Sequence, residues 1–137
     1  MIRHVAAHRA LIIQFLKFGT VGFLGFIVDT GFLYLGIDIL KFSRIAAGLF
    51  SFPFAVTFTW FGNRNFTFPH ARRERKTQQW AKFFIVCAAG LVFNRGTYSL
   101  LVSNSGLVYK YPVLGLVAGT LVGMFFNFFA ARRLVFR

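Results

Sequence analysis

Two long apolar segments occur in this chain, and then the same pair occurs again. Gln14-Phe15-Leu16-Lys17-Phe18 opens a run that reaches Gly25 and Asp29, and 65 residues later Gln79-Trp80-Ala81-Lys82-Phe83 opens one that reaches Gly90 and Asn94. Trp60-Phe61-Gly62-Asn63-Arg64-Asn65-Phe66-Thr67-Phe68 is echoed at an offset of 68 by Phe128-Phe129-Ala130-Ala131-Arg132-Arg133-Leu134-Val135-Phe136. A duplicated pair of apolar segments leaves few folds open. In membrane proteins such internal repeats frame a transport site at the interface of the halves.

The apolar runs identify bilayer as the solvent. Residues 45–63 carry no charge over 19 positions and residues 111–131 none over 21. A hydrocarbon core of ~30 Å takes roughly 20 helical residues, so both segments span unaided. Residues 18–37 span with Asp29 tolerated, and residues 83–102 with Arg95 tolerated. With 57% of its 137 residues hydrophobic, a chain this small cannot hide its apolar surface as a water-soluble domain. The first apolar run exceeds the roughly 7–15 residues of a signal-peptide core and lacks a small-residue cleavage site, so it is expected to remain as a span. The sequence therefore predicts an all-α membrane protein with four transmembrane helices arranged as two tandem two-helix repeats.

A net charge of +13 would suggest nucleic acid in a soluble protein. Its distribution points to topology instead. Twelve of the 16 Lys and Arg fall in three places: Arg3, Arg9 and Lys17; Arg64, Arg72, Arg73, Arg75, Lys76 and Lys82; and Arg132, Arg133 and Arg137. With four spans those places share one face, which the positive-inside rule makes cytoplasmic together with both termini. No nucleic-acid partner is expected. His4 and His8 belong to the basic tail, and the lone Cys87 offers neither a disulfide nor a thiolate metal site.

Helices are expected at about 14–37, 45–63, 80–103 and 112–131, with a basic inner connection at 64–79 and an outer turn through Ser103-Asn104-Ser105-Gly106. Ala47, Ser51, Ala55, Thr59 and Asn63 recur every four residues, and at offset 68 so do Gly115, Gly119, Gly123 and Asn127. Small residues at that spacing let helix backbones approach in lipid. The polar ends Thr59, Asn63 and Asn127 are alternatively a lining. Gly22, Gly25, Asp29 and Gly36 form a small face on the first helix, matched by Cys87, Gly90 and Asn94 on the third. Phe66, Phe68 and Phe136 are expected to be interfacial anchors.

Chemistry-bearing residues are sparse. Asp29 and Arg95 are the ionisable side chains well inside the spans, each costing roughly 2.5–3.5 kcal/mol at a helix centre on insertion scales. They form either an ion pair that fixes helix register or a site in which Arg95 binds an anionic head group and Asp29 gates it or binds hydroxyls. Lys17 matches Lys82 and Arg64 matches Arg132, so four cations are expected at one rim, as phosphate ligands or as snorkelling anchors. Asp38 and Glu74 are the acids besides Asp29, and there is no phosphate-cradling glycine loop. Acid–base or covalent catalysis has little material, so no enzyme activity, metal or cofactor is expected.

The ordered set of motifs resembles the GtrA-like family of small four-span membrane proteins. It comprises Phe15 through Gly22 leading to Asp29, Asn63 through Phe68, Trp80 through Phe83 leading to Asn94-Arg95, and Asn127-Phe128 through Arg132 to Phe136. Ala131 precedes Arg132 where that pattern often has Asn-Arg. The resemblance implies a single membrane domain over 1–137, with repeats at about 14–68 and 79–136. It further implies movement of a polyprenyl-phosphate-linked sugar, such as undecaprenyl-phosphate-glucose, across the bacterial cytoplasmic (inner) membrane for O-antigen or cell-wall polysaccharide. Its substrate-binding residues would be Lys17, Asp29, Asn63, Arg64, Lys82, Asn94, Arg95, Asn127 and Arg132. The expected partners are that lipid, membrane lipids, a glycosyltransferase and further copies of the chain. Two other readings are a non-transporting scaffold for such a glycosyltransferase and a small multidrug-type exporter using Asp29.

Overall fold

The computed structural model describes residues 2–71 and 74–137, with side chains from Ala7 onward. Arg72 and Arg73 of the basic connection lie outside the described residues, as do the side chains of Arg3 and His4. The described residues are helical with no strand: α1 (Ile2–Tyr34), α2 (Arg44–Gly62), α3 (Lys76–Asn104), the short α4 (Gly106–Lys110) and α5 (Pro112–Ala130). Three helices continue into a wider π turn, at Leu35–Ile39 after α1, Asn63–Thr67 after α2 and Ala131–Val135 after α5. Among the described residues four segments are long and apolar enough to cross a bilayer: Ala7–Ile39, Arg44–Thr67, Lys76–Asn104 and Pro112–Val135. The shorter two hold 24 residues each, about 36 Å at 1.5 Å per residue, enough for a ~30 Å core. In hydrocarbon every backbone N–H and C=O must be bonded, in a helix or a closed barrel, and unbroken apolar runs of this length suit the helix.

The helices are longer than the apolar runs that announce them. α1 begins at Ile2 rather than near residue 14, because Ala6, Ala7, Ala10 and Leu11 sustain a helix through polar neighbours. The π turn after α2 carries helix as far as Thr67, so the basic connection shrinks from 64–79 to about 68–75. The turn between α3 and α5 holds α4, whose N-cap Ser105 accepts a hydrogen bond from the Val108 N–H at 3.4 Å. At the turn between α1 and α2 Ser43 caps α2 through Ala46, and Lys41 reverses the chain at φ 57°, in the left-handed region.

The chain divides into two compact units. The first is 1–76 together with Phe136, and the second is 77–135 with Arg137. In the first, α1 and α2 pack antiparallel along the small-residue stripe. Gly36 lies against Ala47, where an added Cβ would sit 3.1 Å from the alanine methyl. Farther along, Gly25 receives the Thr59 methyl so closely that no Cβ would fit, and Gly62 lies against Val21. Phe18 meets Phe68 edge-on at 6.5 Å, and the Phe136 ring stacks on Phe68 at 4.9 Å. Phe68 and Phe136 are therefore buried packing residues and not interfacial anchors, whereas Phe66 is exposed. Gly22 departs from expectation too: it is exposed, with nothing within 4 Å, and takes no part in the seam.

In the second unit α3 and α5 approach even more closely, because the stripe is glycine. A Cβ on Gly119 would lie 2.5 Å from the Asn94 backbone oxygen, and one on Gly123 3.1 Å from that of Gly90. The Asn127 carboxamide fills the space above Gly90 that a side chain would need. Gln79, buried, donates to the Val135 carbonyl at 3.3 Å and ties the start of α3 to the end of the π turn.

Candidate functional site

The end of α2 concentrates buried polar groups. In α2 the Asn63 N–H is shared between the Thr59 and Trp60 carbonyls, and the next turn closes through a Phe68 N–H to Asn63 carbonyl bond of 2.8 Å, the five-residue reach of a π turn. The wider turn brings neighbouring residues inward together. Asn63 is 1% exposed and accepts the Thr67 hydroxyl at 2.7 Å on its side-chain oxygen. Arg64 is only 8% exposed, its guanidinium carbon 5.6 Å from the centre of the Trp60 ring. Lys17 of α1, half-buried, holds its ammonium 4.8 Å from the centre of the Phe66 ring. Both cations thus lie over aromatic faces, which attract positive charge.

Trp60 itself is 9% exposed, and its indole N–H has no hydrogen-bond partner. Buried polar groups are normally paired. Among the described residues two other buried side-chain atoms share that condition, Gln14 Oε1 on α1 and Asn127 Oδ1 on α5.

Deeper in the first unit, Asp29 accepts a hydrogen bond from Ser51 at 2.7 Å, and the same hydroxyl also reaches the Gly48 carbonyl at 3.2 Å. Ser51 is 1% exposed. Sequence reasoning placed it in the packing stripe and did not connect it with Asp29. The link was readable, since a serine in an apolar helix facing an acid on its hairpin partner is the donor that acid needs.

The second unit arranges its expected residues differently. Asn94, half-buried, packs against Gly119 and Gly123, and Asn127 packs over Gly90, so the two asparagines occupy neighbouring turns of one seam. Lys82, Arg95 and Arg132 are exposed. Arg132 and Lys82 therefore differ from their sequence counterparts Arg64 and Lys17 in environment although not in charge. At the positions matching Asn63 and Thr67 stand Ala131 and Val135, both buried and apolar. Trp60 is the residue that sequence reasoning missed. Its signal lay in the repeat, where the buried counterpart at offset 68 is Phe128.

A model of the GtrA/DPMS transmembrane domain family matches residues 17–136. The chain belongs to that family. A comparison with curated proteins found no match. The family domain takes in both units, from Lys17 to the stacked Phe136, and with the four apolar helices it makes this GtrA/DPMS-family chain a multi-pass membrane protein.

Proposed function

We propose that the chain carries a polyprenyl-phosphate-linked monosaccharide from the cytoplasmic to the outer leaflet of a bacterial cytoplasmic membrane, where a glycosyltransferase uses it to decorate surface polysaccharide. The observation that carries this reading is the gathering of Lys17, Asn63 and Arg64 at one end of the first hairpin, in a chain whose family domain is shared with GtrA proteins. Membership supports the substrate class. The cations support capture of a phosphate, for which a guanidinium supplies a planar fork and an ammonium a point charge.

By the positive-inside rule that end faces the cytoplasm, with both termini. Within the first hairpin Asp29 with Ser51 offers hydrogen bonds to sugar hydroxyls. The second hairpin carries cations of its own in Lys82, Arg95 and Arg132, and amides in Asn94 and Asn127. The polyprenyl tail stays in lipid throughout. In this reading the chain is a carrier and breaks no covalent bond.

The test is reconstitution. Liposomes holding the purified protein and a fluorescent polyprenyl-phosphate sugar should expose inner-leaflet label to an impermeant quencher faster than protein-free liposomes do. Equal rates would overturn the proposal, and co-purification of a glycosyltransferase alongside equal rates would favour the scaffold reading.

A further inference from the structure

We propose that the Trp60 indole N–H is a ligand-binding donor, which together with the Arg64 guanidinium over its ring grips an oxygen of the lipid's phosphate. This deepens the transport reading and rests on it for the identity of the phosphate carrier. The inference starts from an unpaired group. Trp60 is nine-tenths buried and its Nε1 has no acceptor, although a buried N–H left unpaired is destabilising in a way an apolar ring is not.

Packing alone does not call for an indole there. Phe128, at the same place in the second hairpin, is wholly buried and carries no N–H. Nor does membrane anchoring explain it. An anchoring tryptophan sets its N–H among lipid head groups, whereas this one lies inside, with the exposed Phe61 beside it in sequence.

What lies near the indole ring indicates the ligand's chemistry. The guanidinium of Arg64, itself buried, lies over the ring 5.6 Å from its centre, and the π turn that carries Arg64 also buries Asn63 and Thr67. A donor on a ring that a guanidinium overlies matches an anionic oxygen acceptor, for which charge-assisted hydrogen bonds are the strongest available. The second hairpin lacks all three features, with Phe128, Ala131 and an exposed Arg132 at the matching positions. Phosphate binding is thereby assigned to the first hairpin.

The chain holds two tryptophans, so the test needs no engineered probe. In the full-length ¹⁵N-labelled protein in micelles the indole N–H signals come from Trp60 and Trp80, and Trp60→Phe identifies which is which. Polyprenyl monophosphate should shift the Trp60 indole proton downfield and leave Trp80 in place, while the matching polyprenol should shift neither. Trp60→Phe, which installs the second hairpin's residue, should weaken polyprenyl monophosphate binding about tenfold, the loss expected of one hydrogen bond to a charged group. A Trp60 signal unmoved while the monophosphate binds would overturn this inference and leave the transport reading standing. Failure of the wild type to bind the monophosphate would overturn both. An equal shift with inorganic phosphate would assign the site to free phosphate and overturn the lipid as its ligand.

Discussion

The two hairpins solve one packing problem with different side chains. In the first, Ser51 stands where the second has Gly119, and Asp29 where the second has Asn94. The serine keeps its Cβ because its hydroxyl bonds the Asp29 carboxyl; the glycine gives up its Cβ so that the Asn94 backbone can come within van der Waals reach. At the next seam position toward the basic end, Gly25 admits the Thr59 methyl and Gly90 admits the Asn127 carboxamide. In the middle of the seam the first hairpin relies partly on polar pairing and the second on proximity, and the second has its polar tie at the end, where Gln79 donates to the Val135 carbonyl. At the π turns the Asn63 and Thr67 side chains bond each other, whereas those of Ala131 and Val135 pack.

Exchanging residues between the hairpins tests that division. Gly119→Ser should be the most damaging, destabilising by about 3 kcal/mol, because the obstacle is the Asn94 backbone oxygen, which cannot swing aside. Thermal unfolding in detergent reads this directly, and a Tm within 2 °C of wild type (about the resolution of such a shift) would mean the seam is looser than described. Ser51→Ala should cost about 1–3 kcal/mol by leaving the Asp29 carboxyl without its donor. Adding Asp29→Asn to that variant should recover part of the loss, and no recovery would show that Ser51 acts through packing.

Smaller effects are expected at the margins. Asn63→Ala and Thr67→Val should each cost about 1 kcal/mol alone, yet together cost less than their sum, since removing both partners leaves no orphan. Strict additivity in a double-mutant cycle would break the claim of polar pairing in the first hairpin. Lys41→Gly should stabilise by about 1 kcal/mol, since Lys41 is left-handed and its turn has no counterpart between α3 and α5. Gly22→Ala should stabilise by up to about 1 kcal/mol, the helix-propensity gain with nothing for the new methyl to strike, a control for the glycines that do touch.

The spans were legible because hydrocarbon leaves a backbone the helix or the closed barrel, and the apolar runs have the length of the helix. Their ends were less so. Residues 2–13 read as a basic tail because hydropathy weighs His8 and Arg9 against a span, while helix propensity is indifferent to them. No residue type signals a π turn, so Arg64 was expected in a loop and not buried in a helical turn. The cations were found from charge and repetition, but the contrast between Arg64 and Arg132 was not, since both sequences offer an arginine there and only the neighbours differ. Trp60 was hidden by its own greasiness: an aromatic residue in a run of Phe reads as filler until its nitrogen is seen to be unpaired.

The π turns that close α2 and α5 have a mechanical consequence. A π turn is broader than an α turn, and these two bury side chains, Asn63, Arg64 and Thr67 on the first and Ala131 and Val135 on the second. A rod flared at one end does not slide lengthwise along its neighbour, so within each hairpin the piston-like, one-turn ratchet known from other switching proteins is blocked. The helices of each hairpin are left to move together as one stiff lever, with the flare as its stop.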